Sequence, residues 1–126
     1  SILRKRYELL GLKDIYLDYA GRKSPADPIH ARLFQINVGD GVQLKLIGEK
    51  LHICNDAGAT LAVLAGKACE QWAPRLDLVR QVNVLALVER RKDESQNPDF
   101  QTMLKSEKWD VPIVEVVFSS EVSSFL

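Results

Sequence analysis

Neither sign of charge prevails in this sequence: Lys and Arg together number 17, and so do Asp and Glu. A domain that holds nucleic acid by bulk charge is usually basic, so an anion site here must be a local patch. Cysteine is scarce, with Cys54 and Cys69 the only two. They are too few for a disulfide framework and lack the CxxC spacing of a zinc ribbon. His30 and His52 are the only histidines, so no metal and no cofactor is expected. Two packed, reduced thiols in a cytoplasmic protein are the expectation. No run of about 18 apolar residues occurs, so no membrane span is expected. The opening Ser1–Arg6 lacks the long apolar core of a signal peptide, and a start without Met points to a piece of a longer protein.

Catalytic motifs are missing as well. The chain has no GxxxxGK[ST], GxGxxG, HExxH or GxSxG, which excludes an intact ATPase motor within it, because a motor needs a loop that cradles phosphate. His52 and Cys54, two apart on an expected strand, share a face. They read as a half-exposed imidazole beside a packed thiol. The carboxylates Asp93, Glu94, Asp40 and Asp56 read as solvated loop charges. No catalytic residue is assigned.

What the chain does have is an ordinary globular composition. It has 126 residues, 46% hydrophobic and 27% charged, which fits one domain with a core. Residues 3 to 12 carry Leu3, Tyr7 and Leu10 at helical spacing, so an N-terminal helix is expected, and Asp14–Tyr19 reads as a short strand. Ala20–Pro28, with Pro25 and Pro28, is a loop. Ile29–Ile36 fits helix or strand equally. From Val38 the pattern sharpens. Val42–Leu46, Leu51–Cys54 and Thr60–Leu64 form a three-strand meander with turns at Gly48–Lys50 and Asn55–Gly58.

Lys67–Trp72 predicts a short helix, with a loose extra turn allowed from Pro74 to Leu78. Gln81–Arg91, apolar on both faces, predicts a central strand. Asn97 as N-cap and Pro98 at the first position predict a short helix to Leu104. Trp109–Phe118 is the last strand, and Pro112 within it argues for an edge or a bulge. The expected fold is mainly β (α+β): five or six antiparallel strands in a small barrel or curled sheet, with a barrel favoured because it removes open edges. Residues 1–37 would be a helix and proline-containing linker packed on a barrel-like domain at 38–118, with a tail at 119–126.

Basic clusters are the one chemical signal. Arg4, Lys5 and Arg6 open the chain, Arg22 and Lys23 lie in the proline loop, and Arg90, Arg91 and Lys92 close the strongest strand. A strand end feeding a loop can present several cations to phosphate, although Asp93 and Glu94 follow at once. Single-stranded nucleic acid also needs rings for its bases to stack on. Trp72, Trp109, Tyr16 and Tyr19 are the candidates. Trp72 and Trp109 belong to apolar elements and read as core, with Trp109 kept as a candidate platform.

Two segments, Val82–Ser95 and Leu104–Phe118, together with the preceding Asp56–Leu64, resemble the C-terminal accessory region of bacterial RecQ-family ATP-dependent DNA helicases. The likeness spans roughly residues 38 to 118, and none of it is a catalytic motif. Residues 51–72 also resemble the outline of a HIRAN domain, a small β-barrel attached to DNA-remodelling helicases, without the Asn-Pro-x-Asp stretch usual before it. The resemblance implies a non-catalytic accessory domain that contacts DNA or the helicase motor domains of its parent chain. The other reading is a protein-interaction or oligomerisation module, pairing through an edge at Val111–Phe118.

Overall fold

Alternating burial organises the middle of the chain. In the computed structural model, which describes residues 2–122, Val42 and Leu44 turn inward from β2 (Gly41–Ile47) while Gln43 and Lys45 face out. β3 (Lys50–Cys54) and β4 (Thr60–Val63) complete the expected meander. The turns place Gly48 and Gly58 at φ of 63° and 83°, a conformation that glycine adopts without a Cβ clash. α2 (Gly66–Trp72) then buries Ala68 and Trp72. A 3-10 segment over Ala73–Leu78 carries Pro74 into β5 (Val79–Arg91). α3 (Pro98–Met103) begins as its sequence announces: the Asn97 side chain accepts the Asp99 N–H at 2.9 Å, and Pro98 takes the first position. β6 (Lys108–Val122) follows.

The N-terminal segment is not a helix. β1 (Ile2–Leu10) is a strand antiparallel to β6, paired from Ile2↔Val122 to Leu10↔Val114. The helical spacing of Leu3, Tyr7 and Leu10 has no face to bury: Leu10 is in the core, but Tyr7 is 73% exposed. A helix of ten residues is marginal without such burial, and pairing with β6 satisfies the backbone instead. The strand expected over Asp14–Tyr19 is also absent. A 3-10 turn spans Leu12–Asp14, where Asp14 N–H donates to the Gly11 carbonyl and Gly11 N–H donates to the Asp14 carboxylate, both at 2.9 Å. The open choice at Ile29–Ile36 resolves as α1 (Pro28–Gln35), with the Asp27 carboxylate capping Ile29 N–H at 2.9 Å.

The six strands form one antiparallel sheet in the order β1-β6-β5-β2-β3-β4. The sheet curls but does not close, so the favoured barrel gives way to the curled sheet. β2 meets β5 only at Gly41 and Val42 and meets β3 from Gln43 onward, so the sheet changes direction there. The β4 edge is fastened by the loop after β1. Ile15 bridges Leu64, Tyr16 N–H donates to Val63 O, and Ala65 N–H donates to Asp14 O, the last two at 2.8 Å.

Two further expectations change in part. β6 as a whole lies between β1 and β5 rather than at an edge. The edge or bulge expected at Pro112 is met locally: β1 does not reach it, and the β5–β6 register shifts nearby between Val84 and Ala86. Pro112 is tolerated because β1 pairing stops at Val114, leaving β6 with β5 alone at that point. Ser119–Val122 continue β6 rather than forming a tail, and the remainder of the expected tail, 123–126, lies outside the described residues.

The core lies on one side of the sheet, under α1 and α2. Trp72 meets Phe118 edge-on with centroids 5.3 Å apart. At the other end of β6, Trp109 is buried against Gly21, where an added Cβ would come within 2.7 Å of the indole. The Gly21 carbonyl accepts the N–H groups of Lys105 and Ser106, so the 16–23 loop is anchored at the start of β6. Among the described residues, no helix is long and apolar enough to cross a membrane.

Candidate nucleic-acid interface

The basic clusters read from the sequence fall at opposite ends of β6. Arg4 and Arg6 pair across from Ser120 and Phe118, whereas Arg90 pairs across from Trp109. Nine positions along a strand are about 30 Å, so these clusters cannot form one patch. At the first end, Arg4, Lys5 and Arg6 are exposed on β1, and Arg6 Nε donates to Ser120 Oγ at 2.8 Å.

At the second end the cations are partly neutralised. Arg90 Nη1 lies 3.2 Å from Glu94 Oε2, and Arg91 Nε lies 3.4 Å from Asp93 Oδ1. The backbone N–H of Lys92 donates to Glu107 O at 2.8 Å, closing the strand end. Exposed pairs of this kind contribute about 0–1 kcal/mol each, so they moderate the charge without fixing it. Arg90 differs from its neighbours. Its Nε is buried without a hydrogen-bond partner, and an unpaired buried donor costs about 1–3 kcal/mol.

Arg90 lines a cavity of about 520 Å³, together with Lys50, Tyr16, Asp18, Ser95 and Phe100. The walls come from distant parts of the chain: the loop after β1, the start of β3, the end of β5 and α3. Beside the cavity, cations and rings alternate. The Arg22 guanidinium lies 5.5 Å from the centroid of the Tyr16 ring, and the Lys23 ammonium lies 5.0 Å from that of Tyr19. Tyr16 and Tyr19 meet edge-on at 6.4 Å, and Tyr19 meets His52 at 6.3 Å. Burial, then the charge of Lys50, holds the His52 imidazole below its ordinary pKa of 6.5. The anchoring of the 16–23 loop under Trp109 and along β4 keeps this row in place.

Trp109 is not the exposed platform that was kept as a candidate. Its indole is buried, and its Nε1–H donates to Leu17 O at 2.7 Å. It supports the site from beneath. Lys50 and Phe100 were not singled out from the sequence. Phe100 is 50% exposed on a polar helix, and a lone aromatic ring in such a segment was the one available signal. Lys50 gave none, since only the tertiary fold brings it to Arg90.

A larger cavity, about 610 Å³, opens between α1 and the β5–β6 strands beside His30 and Phe34. Its walls include Glu89, Glu107 and Asp110. Burial and the neighbouring Glu89 carboxylate push the Asp110 pKa up. Lys108 lines the same wall and lies 3.8 Å from Glu89, so its charge is mixed.

The His52–Cys54 pair carries no nucleophile. Cys54 is fully buried, its thiol pKa is pushed up chiefly by burial, and His52 Nδ1 is engaged with Thr60 Oγ1 at 2.9 Å. Among the described residues no group of His, Cys, Asp and Glu is placed to hold a metal ion.

No protein-family model matches the chain, and neither a curated protein nor a solved structure matches it.

Its geometry alone therefore defines the site. The row from Lys23 to Arg90 brings cations and tyrosine rings together, with Arg22 over the Tyr16 ring and Lys23 over the Tyr19 ring. It contains no oriented nucleophile and base.

Proposed function

We propose that this chain is a non-catalytic accessory domain that contacts single-stranded DNA through the surface formed by Tyr16, Tyr19, Arg22, Lys23, Lys50 and Arg90. The observation that carries this reading is the interleaving of cations and aromatic rings beside one cavity, in a chain whose net charge is zero. Single-strand binders combine a positive groove with stacking platforms, and here Lys50, Arg90, Tyr16 and Phe100 line one cavity. In this reading the domain serves an ATP-dependent DNA helicase of the RecQ type, adding a strand contact to motor domains that lie elsewhere in the parent protein. A cytoplasmic setting accords with the unpaired thiols of Cys54 and Cys69.

Fluorescence anisotropy with labelled single-stranded, tailed and blunt duplex DNA tests the proposal at low and physiological salt. The expected result is binding of the single-stranded and tailed probes that weakens steeply with salt. No binding of any probe at low salt would remove the DNA reading.

A protein-interaction module is the second reading. The strand considered for it, Val111–Phe118, lies between β1 and β5 from Val114 onward. What favours it now is the open edge of β1, with Tyr7 and Leu9 73% and 64% exposed. Light scattering over a concentration series checks self-association.

A further inference from the structure

Arg90 is held by one of its own neighbours. Glu94, four residues on in the 3-10 turn Lys92–Glu94, places a carboxylate oxygen 3.2 Å from Arg90 Nη1. Arg90 Nε remains buried and unpartnered. A guanidinium offers a planar fork that matches the two oxygens of a phosphate, and the contact to Glu94 uses only part of it. The same side chain lines the cavity that Lys50 and Phe100 also line; Asp18 is the carboxylate on its wall, and Glu94 meets the guanidinium from outside that lining. Both partners of the Arg90–Glu94 pair keep solvent access, with side chains 29% and 40% exposed, so exchange of one oxyanion for another needs no opening of the core.

We propose that this cavity takes one phosphodiester of a DNA single strand on Arg90 and Lys50, with the adjoining base stacked on Phe100, and that Glu94 is the internal competitor this phosphate displaces. The inference rests on the single-strand reading above and adds to it a site and a built-in opponent. It follows that the carboxylate which stabilises the unbound strand end also weakens DNA binding.

The test is a set of variants measured against a labelled single-stranded oligonucleotide, with thermal unfolding to confirm that each is folded. Glu94→Gln is expected to tighten binding about two- to fivefold, the scale of an exposed ion pair. Arg90→Gln is expected to weaken binding about tenfold, the scale of a charged hydrogen bond. The double variant should bind like Arg90→Gln alone, because the competitor acts only through the guanidinium. Asp93→Asn removes the same charge one residue away, from the Arg91 pair, and should change little. Phe100→Ala should weaken oligonucleotide binding while leaving competition by inorganic phosphate unchanged.

Equal tightening by Asp93→Asn and Glu94→Gln would reduce the effect to general charge and overturn the competitor role. No change on Arg90→Gln would overturn the site. In both cases wild-type binding to single strands would persist and the broader reading would survive. Failure of the wild type to bind a single strand would overturn both.

Discussion

The two ends of β6 carry the same number of clustered cations and are built differently. At the Ser119–Val122 end, Arg4, Lys5 and Arg6 are spread along β1, the outermost strand of the sheet. At the Lys108–Trp109 end, Arg90 and Arg91 are tied to acidic neighbours, yet Arg90 lines a cavity together with Tyr16 and Phe100. At the first end the clustered cations lie on an exposed strand and the packed rings, Trp72 and Phe118, are buried. At the second, Arg90 lines an open cavity with half-exposed Phe100. A binding site depends more on the second arrangement, because stacking and partial desolvation strengthen each contact with a strand.

Stability gives the sharpest test of that contrast. Trp109→Ala removes a buried indole, its bond to Leu17 O and its packing on Gly21, so a loss of about 3–5 kcal/mol is expected in chemical denaturation. Tyr7→Ala at the open end removes an exposed ring and should stay within about 0.5 kcal/mol. Similar losses from the two would show that both ends are equally organised.

DNA affinity comes next in size. Reversing Arg22, Lys50 and Arg90 together to Glu should weaken single-strand binding at least about tenfold and flatten its salt dependence. The same reversal at Arg4, Lys5 and Arg6 should lower affinity only about twofold, through long-range charge that salt screens. The opposite ranking in anisotropy titrations would move the interface to β1.

The smallest effect concerns His52. Its folded pKa lies below 6.5 because of burial and Lys50. The neutral form is therefore favoured by folding: stability is full above about pH 6.5 and declines as pH falls toward the folded pKa. His52→Gln should remove that part of the acid slope, as read by denaturation at several pH values. A bound phosphate beside Lys50 should raise the His52 pKa in an NMR titration, whereas occupancy of the β1 end should leave it unmoved.

Legibility in the sequence followed the reach of each signal. β2 to β5, α2 and α3 were readable because their cues are local: alternation at Val42–Leu46, glycine at turns, Asn97-Pro98 at a helix start. β1 was misread because its exposed face carries Tyr7 and Leu9, so burial imposes no alternation on it. β6 was misplaced because Pro112 does mark a missing neighbour, but only over the part that β1 fails to cover. The site was half legible. Tyr16, Tyr19, Arg22, Lys23 and Arg90 stood out by type, whereas their meeting with Lys50 and Phe100 depends on the loop that the start of β6 and β4 hold down.

The pairing of β1 with β6 also bears on synthesis. The first strand, emerging from a ribosome, has its hydrogen-bonding partner at the opposite end of this domain's sequence. Until β6 is made, β1 and the outer side of β5 both remain unsatisfied, while the β2–β4 meander can already assemble from neighbours. Long-range pairing of this kind slows folding and leaves strand edges open in the interval. A nascent chain halted before β6 should therefore engage chaperones, and the domain should become protease-resistant in a single late step.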